Sequence, residues 1–212
     1  MPVVTLDQVS KSYRGTSLYK DVSLEIDEGA ITSISGPNGS GKSVLFRLMC
    51  GFVVPDSGIV KIDEKFMSAK RIFPENFGVV IDRPGFLSNE SGLNNLRQLA
   101  RIRGVIGDVE IAQTMNLLGL DPSARQKVRH YSLGMKQKLA LAQALMERPK
   151  VLILDEPFNA LDANSVLNVR EILRDLNANG VTVVFTSHNQ IDIDELATKK
   201  FEIKNSTVVP VL

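Results

Sequence analysis

An α/β fold is predicted, with a mostly parallel sheet at its centre, an antiparallel β layer flanking it and an inserted α-helical subdomain. Three observations predict it. The runs Val151-Leu152-Ile153-Leu154 and Val181-Thr182-Val183-Val184-Phe185 are apolar almost throughout rather than alternating, as in strands covered on both faces, and a helix-spaced segment separates them. Near the N-terminus the apolar residues instead alternate in short pieces broken by turn residues. From about Leu93 onward a long block keeps helical spacing.

The 212 residues, 43% of them hydrophobic, suit one sizeable α/β domain or two small ones sharing a core. Lys and Arg number 25 against 24 Asp and Glu, with no long block of one sign, so no nucleic-acid partner is expected. The single cysteine, Cys50, cannot form an internal disulfide; it agrees with a reducing compartment and reads as a small packed side chain. The N-terminus lacks a basic region followed by an apolar one. No later run approaches the ~18 apolar residues of a membrane span, so the chain is expected neither to enter nor to cross a membrane by itself.

Val3-Val4-Thr5-Leu6 and Val22-Ser23-Leu24-Glu25-Ile26 read as strands of the flanking layer, joined by the polar stretch from Lys11 to Lys20, and Glu28-Gly29 is a turn. Ala30 to Ser35 is the next strand. Directly after it, Gly36-Pro37-Asn38-Gly39-Ser40-Gly41-Lys42-Ser43 matches G-x-x-x-x-G-K-[ST], and Val44 to Met49 continues as an apolar helix. Glycines there let successive N–H groups turn toward one anion at a helix N-terminus. Lys42 would reach the β- and γ-phosphates of a nucleotide and the Ser43 hydroxyl would bind Mg²⁺. Adenine needs a flat surface to stack on; Tyr13 is the first candidate and Tyr19 the competing one.

Pro55-Asp56-Ser57-Gly58 is a turn, and Ile59 to Asp63 a strand completing the antiparallel layer. Phe77 to Ile81 is a short buried strand that ends at Asp82-Arg83-Pro84-Gly85, which brings an acidic residue to the sheet edge where open α/β sheets bind ligands. Helices are expected from Leu93 to Leu120, and again after Ser132, a suitable N-cap for the helix carrying Leu139, Ala142, Leu145 and Met146. The strand Val151 to Leu154 ends in Asp155-Glu156-Pro157. Asp162 caps a helix that Asn179-Gly180 stops, and the strand from Val181 ends in Thr186-Ser187-His188. The remainder to Leu212 reads as short and β-like. Residues 1–82 and 150–212 thus form a phosphate-loop NTPase core with its β layer, and about 83–149 the helical subdomain.

A carboxylate ending a buried strand can hold Mg²⁺ opposite the Ser43 hydroxyl, the role assigned to Asp155. Glu156 beside it can polarise an attacking water, and His188 can hydrogen-bond a γ-phosphate.

In this order the motifs resemble the ATP-binding-cassette (ABC) ATPases, over essentially the whole chain. By that resemblance Tyr13 stacks adenine, Gly36 to Ser43 with Val44 bind ATP, and Asp82 stands where the family has a glutamine that serves the metal. Ser132-Leu133-Gly134-Met135 falls at the signature motif, Asp155 and Glu156 at the metal and catalytic carboxylates, Ala160-Leu161-Asp162 at the aspartate loop and His188 at the switch histidine. The resemblance implies Mg²⁺-dependent ATP hydrolysis in a head-to-tail homodimer or heterodimer of nucleotide-binding domains, each ATP lying between one phosphate loop and the other subunit's signature. It also implies a transmembrane permease subunit as partner, and a cytoplasmic location, peripheral on the inner face of the membrane. Asp82 in place of glutamine cannot donate a hydrogen bond and adds negative charge near the phosphates. Leu133 and Met135 replace a glycine and a glutamine. Both departures resemble ATP-binding subunits of bacterial exporters for bacitracin-like and lantibiotic peptides. A soluble cassette in iron–sulfur assembly is the alternative; a kinase or GTPase leaves the signature and His188 without a role.

Overall fold

The computed structural model describes residues 1–13, 15–68, 72–82 and 85–211. In chain order its elements are β1 (Pro2–Tyr13), β2 (Thr16–Asp27), β3 (Ile31–Ser35), α1 (Lys42–Met49), β4 (Ser57–Ile62), β5 (Phe77–Val80), α2 (Gly92–Arg103), α3 (Asp108–Leu117), α4 (Leu133–Leu145), β6 (Val151–Leu154), α5 (Ala163–Ala178), β7 (Thr182–Phe185), α6 (Gln190–Leu196), β8 (Lys199–Lys204) and β9 (Thr207–Pro210).

Two sheets form, as the two kinds of apolar pattern predict. The alternating N-terminal segments give an antiparallel layer in the order β2-β1-β4, and the continuous apolar runs give a second sheet ordered β5-β6-β7-β3-β8-β9. In this second sheet β5, β6, β7, β3 and β8 run parallel and β9 closes the edge antiparallel to β8. All four residues of β6 and of β7 are buried, which is why those runs carry no polar alternation. Since β3, β6 and β7 are neighbours and parallel, their carboxyl ends open on one edge, where Gly36–Gly41, Asp155-Glu156 and Thr186–His188 follow. The ladder continues into these segments: Asp155 N–H donates to Val80 O at 2.7 Å and Thr186 N–H to Leu154 O at 3.0 Å.

The core falls into two clusters on opposite faces of this sheet. One joins α1 (Leu45, Phe46, Leu48, Met49) to the antiparallel layer and to the β6 residues Val151 and Ile153. The other joins α2, α3 and α4 to α5 and to Leu152 and Leu154 of β6. Cys50 is buried in the first cluster, and burial pushes its thiol up to about 12. Ser132 and Asp162 cap α4 and α5 as their sequence context predicts, accepting from the Met135 and Ser165 N–H groups at 3.1 and 2.9 Å.

Two expectations are corrected. The polar stretch from Lys11 to Lys20 is not a connecting loop: β1 and β2 pair through it, Lys11 opposite Tyr19 and Tyr13 opposite Thr16. The segment after His188 is not purely β-like, for α6 precedes β8. The expected turn at Asp82-Arg83-Pro84-Gly85 includes Arg83 and Pro84, which lie outside the described residues, as does Leu212.

Candidate functional site

The loop between β3 and α1 is built for an anion. Gly41 is the N-cap of α1 at φ 98, no side chain caps the helix and no acidic residue occupies its first turn, so its N-terminal N–H groups and positive dipole end are offered to a ligand. Gly39, at φ 80, takes a left-handed turn that side chains disfavour. Lys42 is largely buried and folds back on the loop, donating to Gly36 O at 2.8 Å and Pro37 O at 3.1 Å. Those carbonyls are the acceptors its ammonium would exchange for phosphate oxygens. Ser40 Oγ is buried without a hydrogen-bond partner among the described residues.

The two tyrosine candidates are separated by the fold. Tyr19 is 1% exposed and lies under the loop: a Cβ on Gly41 would sit 2.6 Å from its hydroxyl oxygen. It supports the loop and offers no face to a base. Tyr13, at the end of β1, is 59% exposed.

Ser43 and Asp155 meet, with the Ser43 hydroxyl donating to Asp155 Oδ2 at 2.5 Å. Asp155 Oδ1 accepts from the Thr186 hydroxyl at 2.8 Å, and the same hydroxyl accepts from the Glu156 N–H at 2.8 Å. Glu156 takes φ 50, in the left-handed region. Its Oε1 lies 3.0 Å from His188 Nε2 but has no aligned hydrogen bond. Burial raises the Glu156 carboxyl above the usual range; His188 and Lys42 oppose the rise, and Asp155 adds to it. A carboxylate with a raised affinity for protons, beside an imidazole, suits general-base work on a water.

Asp82 lines the same cleft, of about 520 Å³, as Phe86, Leu133, Asp155 and Glu156. Its carboxylate is paired with the Arg47 guanidinium from α1, both side chains half exposed, so the charge expected to face the phosphates is answered within the chain. Asp82 has φ 58 and Ala160 φ 62, so three non-glycine residues around the cleft, Glu156 included, hold left-handed conformations. Ser132 and Leu133 are exposed at the start of α4, and Gly134 packs so closely that a Cβ there would come within 2.7 Å of Ala160 O. Met135 is half-buried behind them.

Three residues that sequence reasoning passed over belong to the site. Thr186 bridges the two carboxylate-bearing residues. Arg47 pairs with Asp82. Gln137 of α4 donates to Glu156 O and Pro157 O, both at 3.1 Å, and ties α4 to the turn after β6. Their types carry no motif signal; only Thr186, next to the strand end, was within reach of a positional argument.

A family model described as ABC transporter matches residues 19–159. The chain is 34% identical over 197 residues to an uncharacterized ABC transporter ATP-binding protein, YybJ, of Bacillus subtilis (strain 168), covering 93% of this chain and 90% of that one. To the bacitracin transport ATP-binding protein BcrA of Enterococcus faecalis it is 32% identical, over 92% of this chain and 64% of that one. The fold matches the dimeric post-hydrolysis state of the ATP-binding cassette MJ0796 bound to ADP and Pi with a TM-score of 0.86 at 25% identity, covering 97% of this chain and 96% of that one.

Proposed function

From the premise that the chain belongs to the ABC transporter family and is one of its ATP-binding, ATP-hydrolysing subunits, we propose that it powers export through a separately encoded transmembrane permease. The observation that supports this most is the convergence of Lys42, Ser43, Asp155, Glu156 and His188 at the carboxyl ends of three adjacent parallel strands. No helix among the described residues is long and apolar enough to cross a membrane, and in this reading the permease supplies the spanning segments. The cassette would sit at the inner face of the membrane through that partner. Kinship with a bacitracin transport protein favours peptide export, and it disfavours the iron–sulfur alternative.

In this reading Tyr13 stacks adenine, the loop from Gly36 to Ser43 with Val44 wraps the phosphates, and Lys42 leaves its two carbonyls to hold the β- and γ-phosphates. Ser43 and Asp155 present hard oxygen donors 2.5 Å apart, a set that suits Mg²⁺ completed by phosphate oxygens and waters. Asp82 is a further acidic donor at the same cleft, held in reserve by Arg47. Bound there, Mg²⁺ would neutralise charge developing on the transferred phosphoryl group. Glu156 takes a proton from the attacking water, and His188 beside it orients the γ-phosphate. Residues Ser132 to Met135 of a second nucleotide-binding domain close the site from the other side, the exposed start of α4 supplying N–H groups and a helix dipole. Residues about 83–149, moving as a helical subdomain tied to Glu156 by Gln137, carry the event to the permease.

The test is to tag the chain, solubilise host membranes in mild detergent and identify what co-purifies. A multi-span membrane protein in stoichiometric amount is the expected result. Recovery only from the soluble fraction, with assembly proteins instead, overturns the transport reading.

A further inference from the structure

We propose that Thr186 is the positioning residue that fixes both acidic groups of the site through a single hydroxyl; the inference rests on the hydrolytic reading above. Thr186 follows the last residue of β7 and is fully buried, with a relative exposure of 0%. The parallel pairing of Leu154 with Phe185 brings it beside Asp155. Its hydroxyl donates to Asp155 Oδ1 at 2.8 Å and accepts from the Glu156 N–H at 2.8 Å. A hydroxyl carries one proton and two lone pairs, so both bonds stand at once.

The first bond decides which Asp155 oxygen is available. With Oδ1 held by Thr186, Oδ2 is the one turned to the Ser43 hydroxyl. Aspartate χ2 is a broad torsion that does not set this orientation by itself. The second bond decides where the Glu156 side chain starts. Glu156 sits at φ 50, a conformation that non-glycine residues keep only where the surroundings impose it. The sheet ladder ends with the Asp155 N–H, so Glu156 is the first residue past it, and its N–H takes Thr186 as acceptor.

The tether is itself anchored. The next residue, Ser187, donates to Asp192 Oδ2 at 2.8 Å, and the Asp192 carboxylate is held by Arg170 of α5 in a buried pair. The backbone carrying Thr186 is therefore fixed from behind. Losing the hydroxyl frees the Asp155 carboxylate and the Glu156 backbone N–H without shifting the strand. Valine keeps the shape of threonine and removes both bonds; serine keeps the hydroxyl and drops only a methyl.

The experiment uses the full chain as wild type, T186V and T186S, with T186C as the thiol analogue of T186S carrying only a weak donor. A fluorescent ATP analogue is titrated at a series of Mg²⁺ concentrations, and kcat and KM are measured separately. Outer residues that orient a metal ligand are worth about 10–100-fold. T186V is expected to raise the Mg²⁺ midpoint for nucleotide binding about tenfold and to lower kcat about 10–100-fold, with KM within about threefold and T186S close to wild type. A merely structural role would lower kcat only with the folded fraction and leave the Mg²⁺ midpoint where it was. If T186V does not fold, T186C is read against the same expectation. A folded T186V or T186C with an unchanged Mg²⁺ midpoint and kcat overturns the proposal. A wild-type chain that neither binds the analogue nor hydrolyses ATP overturns the hydrolytic reading instead.

Discussion

Glu156 is held in a place that disfavours its ionised form, and this has two separable consequences. The first is chemical: E156Q keeps shape and hydrogen-bonding capacity but removes the proposed base, so hydrolysis is expected to fall by about 10²–10⁴-fold while ATP still binds. Turnover measured at saturating ATP checks it, and a wild-type rate in E156Q removes Glu156 as base. The second concerns stability without nucleotide. A carboxyl whose folded pKa is raised contributes stability below its unfolded pKa, near 4.3, and loses it as pH rises through the folded value. At neutral pH the carboxyl is therefore a liability that glutamine relieves. E156Q is expected to melt above wild type at pH 7.5, about 2–4 °C for each kcal/mol relieved, with the gap closing below about pH 4. Thermal scans across that range check the sign, and a gap widening toward acid contradicts it. The loop and both carboxylates were legible in the sequence because G-x-x-x-x-G-K-S and an apolar run ending in Asp-Glu are local patterns. Tyr19 was not separable from Tyr13, because its direction depends on a register shift between Val9 and Lys11 in the pairing with β2. Asp21 takes φ 48 in β2, and the local irregularity places Tyr19 and Val22, three residues apart, on the same buried side.

Among the elements, α5 and α6 are joined by a charged pair in the interior. Asp192 is 2% exposed and Arg170 8%; the Arg170 Nε donates to Asp192 Oδ1 at 3.0 Å, and the Ser187 hydroxyl binds the other oxygen. Removing one member leaves a buried charge unanswered, which costs roughly 3–5 kcal/mol, more than the pair itself contributes. D192A is expected to lower stability by that amount in urea unfolding, and the double variant R170M/D192A to recover a large part of it. A D192A loss below about 1 kcal/mol would show that Arg170 finds water or another partner. The helix carrying Asp192 was also the element least legible beforehand. Gln190-Ile191-Asp192-Ile193-Asp194-Glu195-Leu196 is seven residues long and alternates polar and apolar over most of its length, so period two and period 3.6 fit it equally. Only Asn189, which accepts from the Ile191 N–H at 3.0 Å, gave a start signal. By contrast α4 and α5 carried both a cap and a long apolar stripe, and both were placed from the sequence. The extension of β1 and β2 through Lys11 to Lys20 was hidden for a different reason. Much of that end of the ribbon is exposed, so its strands need no apolar side chains to persist.

At the scale of the whole molecule, the start of α4 faces outward, and that bears on where the complete site lies. Leu133 is 61% exposed, Ser132 beside it is exposed, and no residue from Gly36 to Ser43 lines the cleft that Leu133 shares with Asp155 and Glu156. A helix N-terminus left this open suits an anion brought by another subunit, as the dimeric arrangement proposed above requires. The consequence is complementation between two inactive chains. In the proposed arrangement K42A would lose the phosphate contact but keep its signature, and S132R would keep its phosphate loop but block the helix start. If the site is shared, each mixed dimer holds one intact site, formed by the phosphate loop of the S132R chain and the signature of the K42A chain. Equal mixing then gives roughly a quarter of wild-type turnover, because about half of the dimers are mixed and each has one working site out of two. If instead each chain hydrolyses alone, the mixture is no more active than the sum of its parts. The activity should also rise with total protein at fixed ratio, since mixed dimers form by mass action.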